Sequence, residues 1–441
     1  MTVTERLIGA VGHVADNAGP AELDYARLCL LDWLGVTIAG AHEPVTEVLV
    51  AACDTLGGGH PLFGRTETAS LQDAVLINGA AGHALDYDDG MPGMNGHPSV
   101  AILPSLVLLA ARRGIDGERL LRAIVAGAEA AGRIGLMLGD DHYARGFHAT
   151  GTVGAMAGAV AAAYLECLPQ DQSGTTLGLA ATRAAGLRAS FGSDAKPLHA
   201  AWAAEIALTS LIWASKGMTG PGDILGHGQG IRALTGSFDA EAGLEPSAGA
   251  LIHTVNFKYH AACAVTHPAI DVSLALQRRC AERVEAVRLV VAEAADSICN
   301  IAAPASGLEL KFSLRGVTAM ALAGIDTSNP GSFEAGALES PEVRRIMECV
   351  EVVLDRTLAI GQTRVEIGFA DGSSAQGYGS LEDFEREAGI LRDRLGKKFH
   401  ALAGNATGEA TARALATEIL DVPAPKAARL VELLKRSNDD T

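Results

Sequence analysis

The chain has 441 residues, long enough for two or three domains. Apolar residues make up 48% and charged residues 20%, which excludes global disorder. Acidic residues outnumber basic ones 52 to 35, and the net charge of −17 speaks against non-specific binding to nucleic acid or to an anionic membrane.

Aromatic residues are only 4%, while glycine occurs 51 times and alanine is abundant. Small side chains let helices approach closely, so the expected body is helix-rich and tightly packed. Lysine is scarce: eight in the chain, none before Lys196. A lysine inside an apolar segment therefore looks placed for a reason. Seven scattered cysteines form no CxxC pair, which argues against a disulfide framework or a structural zinc site. A cytoplasmic location is expected, because the first twenty residues carry charge early and show no secretory apolar run.

Residues 1–245 read as successive helices joined by short Gly, Pro and Asp turns. The periodicity predicts helices over 20–40, 45–56, 70–85, 117–138, 151–167 and 197–216. The run Gly217 to Asp223 is a stop signal. Two apolar stretches, 90–111 and 146–164, have the length of membrane spans, but His97, Pro98, Pro104 and His148 within them read as buried helices of a globular body. The texture changes after about residue 270. Residues 284–294 alternate and are valine-rich, as a strand or strand pair would be. Residues 363–378 read as a hairpin turning at Asp371-Gly372. Helices are expected over 311–325 and 341–354, and charged amphipathic helices return over 381–437.

Five segments could carry chemistry. The first runs from Asn78 through His83, Asp86, Asp88 and Asp89 to His97. It could hold a metal through His83, an Asp and His97, do acid/base work without one, or be a solvated loop after a helix. The second, His142 to Gly154, includes Tyr143, Arg145, His148, Thr150 and Thr152. A helix start with free N–H groups favours a carboxylate, although the threonines could simply be caps. The third, Asp194 to Trp202, places Lys196 at a helix entrance three residues before His199. A desolvated lysine can act as a base or hold a carboxylate. The fourth, Phe257 to Pro268, combines Lys258, His260, Cys263 and His267. The fifth, Glu309 to Gly316, opens a helix with Lys311 and Ser313.

In the order NGAAGHALDYDD, HPS, YARGFHATGTVGA, AKPLHAAWAA, FKYHAACAVTHPAID and KFSLRGVTAMALAG, these segments resemble the MmgE/PrpD family over nearly the whole chain. That family includes 2-methylcitrate dehydratase, cis-aconitate decarboxylase and iminodisuccinate epimerase. The resemblance implies a mainly α fold, with a large all-helical domain plus a smaller α+β lid domain. The domains would run over 1–268, 269–385 and 386–441, the last rejoining the first. It implies no metal and no organic cofactor, a homodimer, and a small di- or tricarboxylate substrate, with neither nucleic acid nor membrane as partner. It also implies the site residues. Lys196 and Tyr143 would form a proton-transfer pair, with His97 and His148 as alternative acids or ligands and Asp86 orienting them. Arg145, Lys258, Thr150 and His199 would bind substrate. Gly90 stands where the decarboxylase has Thr, Arg315-Gly316 stands where it has Tyr, and the loop from Asp89 to His97 differs in length. The resemblance is therefore read as epimerase-like first, β-elimination of water as the alternative, and decarboxylation or metal-dependent chemistry as less supported.

Overall fold

The computed structural model describes residues 1–53, 58–245, 249–277, 283–383 and 387–439. Among the described residues nine α-helices precede residue 216: α1 Val3–Asp16, α2 Pro20–Ala39, α3 Pro44–Ala52, α4 Leu71–Ala84, α5 Pro98–Arg113, α6 Gly117–Ala144, α7 Ala149–Leu165, α8 Gln170–Ala181 and α9 Ala195–Ser215. The six predicted helices are among them. The predicted end of α3, at 54–56, lies outside the described residues. A two-residue strand pair, β1 His60–Pro61 and β2 Thr68–Ala69, went unforeseen.

The small residues do what their abundance suggests. A Cβ on Gly79 of α4 would lie 2.8 Å from the Cα of Ala201 on α9, and one on Gly151 of α7 would lie 2.2 Å from the Ala185 carbonyl oxygen. Helices packed this closely are buried on most faces: nearly every residue of α7 is inaccessible. That explains why 90–111 and 146–164 are so apolar, and among the described residues no helix is long and apolar enough to cross a membrane. The helix predicted to end at 138 runs to Ala144, with a break at Gly139 (φ 64°) that only glycine adopts cheaply. The break turns the last helical turn and brings Tyr143 to the site.

A second core begins at the helix His267–Gln277 and includes a four-stranded sheet. Its strands are β3 Val284–Ala292, β4 Val350–Asp355, β5 Gln362–Phe369 and β6 Ser374–Ser380, in the order β4-β3-β5-β6. β3 pairs parallel with β4 and antiparallel with β5; β5 and β6 form the predicted hairpin. Gly372 takes φ 80° at its turn, where Asp371 Oδ1 accepts from the Ser373 N–H at 2.8 Å. The segment 284–294 holds one strand, ending at Ala292, and a short 3-10 turn over Glu293–Ala295 closes it. The helix expected over 311–325 is shorter, Leu314–Leu322. The prediction of one helix over 341–354 is corrected: the helix Pro341–Cys349 stops, and Val350 begins β4. Val350, Val352 and Val353 are stiff at χ1 and suit a pleated surface, and β3 offers them a parallel edge.

The helix Ala388–Thr407 then returns to pack on α2, with Leu391, Leu395 and Phe399 in the first core. Its close approach uses Gly35, where a Cβ would come within 2.9 Å of the Phe399 ring. The boundary expected at 385/386 lies outside the described residues. The fold is thus mainly α, with a smaller α+β part.

Candidate active site

Five helix ends converge on one cavity of about 190 Å³. Asp86 follows the end of α4, His97 and His148 immediately precede α5 and α7, Tyr143 lies on the last turn of α6, and Lys196 on the first turn of α9. Lys258 arrives from the segment before the second core, which contributes Cys263, Ile298, Phe312, Ile360 and Leu381 to the opposite wall. The volume is below the roughly 300–1,000 Å³ of sites for drug-sized ligands, so it suits a small acid.

Asp86 is the hub. Its Oδ1 accepts from Lys196 Nζ at 2.7 Å and from Lys258 Nζ at 2.8 Å. Burial alone would raise this carboxyl, but the two lysines outweigh it and hold it well below the usual carboxylate range. Lys258 is correspondingly raised: burial opposes its charge, and Asp86 and Asp88 more than compensate. Asp86 also has φ 50°, a left-handed conformation costing a non-glycine residue about 1–2 kcal/mol.

A second chain of bonds runs behind it. Lys196 Nζ lies 3.0 Å from His83 Nε2, and His83 Nδ1 lies 2.8 Å from Asp88 Oδ1. An ammonium only donates and a carboxylate only accepts, so neutral His83 carries its proton on Nδ1. His97 Nδ1 donates to the Asp89 carbonyl at 2.6 Å, which leaves Nε2 with a free lone pair. Burial, reinforced by Lys258 and Lys196, pushes His97 down to about 3 despite Asp88. His148 is held well below its ordinary value by burial and by Lys196. The histidines are therefore neutral at pH 7. Tyr143 is pushed up to about 12 by burial and keeps its proton, although the Arg188 guanidinium lies 4.1 Å over its ring. The charged groups lining the cavity are two ammoniums and one carboxylate, so its wall favours an anion inside a strongly acidic chain.

Asp86, His97, Tyr143, His148, Lys196 and Lys258 all line the cavity. Thr150 and His199 stand one layer back. Thr150 Oγ1 accepts from the His97 N–H at 3.1 Å, and His199 shares a hydrogen bond of 3.0 Å with His148. Both therefore support histidines rather than line the cavity. Arg145 is a correction. It caps α6 with a half-exposed side chain whose Nε pairs with Asp141 Oδ2 at 2.6 Å, four residues back along the helix, and it does not reach the cavity. Arg188 takes the nearby place instead, donating to the Tyr143 carbonyl at 3.1 Å. Lys398, which the sequence reading did not single out, is buried and ion-paired with Asp32 at 2.7 Å. Its neighbours in the buried stripe, Leu391, Leu395 and Leu402, are the signal that could have found it.

His83, Asp86, Asp88 and His97 offer ligand atoms within 4.8 Å of one another, the set expected for a metal. His83 Nε2 and Asp86 Oδ1 already face the Lys196 ammonium, and Lys258 shares the second. The donor geometry thus accommodates cations of the chain itself.

Asp89 behaves differently from its neighbours. Burial pushes it up to about 8, even with Ser99 donating through both Oγ and N–H. Unfolded, an aspartate titrates at about 3.9. Between about pH 4 and pH 8 the unfolded chain has lost this proton while the fold retains it, so this residue makes stability fall as pH rises through that window. Asp89→Asn should therefore show a smaller loss of stability between pH 5 and pH 8 than the parent in urea melts. An unchanged difference would place the proton elsewhere.

Fold and site together define a mainly helical protein with an anion-favouring cavity between a large helical core and a smaller α+β core. Family models agree. The MmgE/PrpD N-terminal domain matches residues 10–241 and the MmgE/PrpD C-terminal domain matches residues 260–422, so the chain belongs to the MmgE/PrpD family. It is similar to the cis-aconitate decarboxylase of Aspergillus terreus, 26% identical over 95% of this chain and 92% of that protein. The cis-aconitate decarboxylase of Mus musculus is 25% identical over 80% of this chain and 75% of its own length, and that of Homo sapiens is 25% identical over 78% and 73%.

Proposed function

We propose that this chain is an acid/base enzyme, working without a cofactor, that moves the proton on the carbon next to a carboxylate of a small di- or tricarboxylate, with an epimerase-like outcome. The observation that carries this is the juxtaposition of Lys196 and Lys258, at 2.7 and 2.8 Å from one Asp86 oxygen, with protonated Tyr143 on the same cavity. Proton removal builds charge on the adjacent carboxylate; Lys258 is a pre-aimed cation for that charge, and Lys196 becomes one as it takes the proton.

Lys196 needs a lone pair to act as the base. The chain Lys196–His83–Asp88 supports this role: the ammonium can pass a proton to His83 Nε2, and Asp88 stabilises the resulting imidazolium. Neutral Lys196 then abstracts the substrate proton, and the Tyr143 hydroxyl delivers one to the carbanion. His97, with its free Nε2, is the alternative acceptor. Phe191 and Phe312 lie 5.6 and 5.2 Å from Lys196 Nζ, and with Ile298 they keep that end of the cavity apolar.

The similarity to decarboxylases favours a lyase as the second reading: loss of water would follow the same carbanion, and loss of CO₂ would leave a carbanion that the same acid can protonate. At about a quarter identity the site residues, not the shared fold, decide the reaction. Incubation with a panel of di- and tricarboxylates in D₂O, followed by proton NMR, separates these. Deuterium wash-in with inversion at that carbon and no loss of water or CO₂ is the expected result; water or CO₂ loss would replace the epimerase reading by the lyase one. Absence of any exchange or turnover across the panel would remove both.

A further inference from the structure

Two buried lysines have no task in this chemistry. Lys311 lies just before the helix Leu314–Leu322 in the second core, and Lys398 lies on the returning helix Ala388–Thr407. Both point at the same three residues. Lys311 Nζ donates to the Leu85 carbonyl at 2.8 Å, Lys258 Nζ to the Asp86 carbonyl at 2.8 Å, and Lys398 Nζ to the Tyr87 carbonyl at 2.8 Å. Three consecutive carbonyls are thus each held by a different lysine, drawn from three separate parts of the chain. Lys398 also donates to the Lys258 carbonyl at 2.9 Å, and it sits 3.8 Å over the Tyr87 ring. The middle residue of the three is Asp86, the one with φ 50°.

Burying an ammonium is costly, and a leucine or methionine would fill the same space at less expense. Lys311 places its hydrogen bond on backbone, and Lys398, besides its ion pair with Asp32 at 2.7 Å, places two on backbone; both end beside a left-handed aspartate, which implies a positional demand. A left-handed residue persists only where its surroundings over-determine it.

We propose that Lys311 and Lys398 are positioning residues: together with Lys258 they clamp the Leu85–Asp86–Tyr87 backbone and so aim the Asp86 carboxylate at Lys196 and Lys258. The clamp spans both cores and the returning helix, so assembly of the whole fold completes the site. Its catalytic consequence rests on the acid/base reading given above; its structural consequence does not.

The test uses Lys398→Met in the full-length chain, with two readouts. Hydrogen–deuterium exchange by mass spectrometry should show faster exchange confined to residues 85–89, with the remaining helices protected as in the parent. A general loosening would instead spread through the returning helix and α2. For the substrate that exchanges its α-proton, kcat should fall by about 10²-fold with KM within a few-fold, because a misplacement of about 1 Å at the reacting groups has that effect. Unchanged protection at 85–89, or an unchanged kcat in the folded variant, overturns the proposal. Should Lys398→Met fail to fold, Lys311→Met, which releases the neighbouring carbonyl from the other core, carries the same two readouts. If the parent exchanges no α-proton with any acid, the catalytic reading falls, and local exchange at 85–89 still decides the clamp.

Discussion

Replacing Lys196 by Met is expected to abolish turnover while leaving the fold intact. Methionine fills nearly the same volume beside Phe191 and Phe312 and removes only the charged end. Asp86 keeps a cation, because Lys258 still reaches its Oδ1 at 2.8 Å and its carbonyl at 2.8 Å. Folding should therefore lose little. Catalysis loses two things at once: the group that exchanges a proton with His83, and a positive charge facing the reacting carboxylate. Positioned acid/base groups contribute about 10²–10⁴-fold, and removal of a single electrostatic donor costs about 10²–10³-fold, so a fall of at least 10³-fold in deuterium wash-in is expected. Thermal melting and circular dichroism should match the parent. A folded variant that retained near-parental exchange would remove Lys196 from the proton path and leave His97 Nε2 as the acceptor.

The sequence showed much of this site because its chemistry sits at helix ends. Asp86, His97, Tyr143, His148 and Lys196 each lie at or beside a helix end, and turn residues, prolines and glycines mark those ends locally. Lysine scarcity added weight to Lys196 and Lys258. What local pattern could not show is which distant element closes on a turn. Lys398 is separated from Tyr87 by more than three hundred residues, and beside Lys397 it reads as part of an exposed pair. Only its phase with Leu391, Leu395 and Leu402 distinguishes it, since Lys397 points outward to Asp393 at 2.7 Å. Arg145 fails for a related reason. Its position in the motif is two residues from Tyr143, but that offset on a helix turns the two side chains to different faces, and Asp141 four residues earlier captures it. The β4 strand was hidden because 350–354 is a short, mostly apolar run following directly on a helix, and only the parallel edge of β3 decides its conformation.

Asp86→Asn separates the charge of the hub from its geometry. Asparagine has nearly the same shape and, like aspartate, tolerates the left-handed region, so φ 50° adds no new strain. What disappears is the negative charge between two buried ammoniums at 2.7 and 2.8 Å. Removing one member of a buried charge cluster leaves the others uncompensated, typically at about 3–5 kcal/mol. The pH dependence identifies the cause. The carboxyl is held below its unfolded value, so it contributes stability above the unfolded pKa of about 3.9 and loses it as pH falls through the folded value. The stability gap between parent and variant should thus be full at pH 7 and begin to close below about pH 4. Urea melts at pH 7, 5 and 3.5 measure it. A gap that stayed constant down to the acid limit would mean that packing, not charge, holds this position. Turnover should fall with the charge as well, since Lys196 and Lys258 lose the acceptor that fixes both at one atom. A small dicarboxylate should at the same time raise the melting temperature of the variant more than that of the parent, because it can restore the missing negative charge between the two lysines. That pairing of weaker turnover with a larger ligand-induced shift is the signature of a site built to hold an anion next to Asp86.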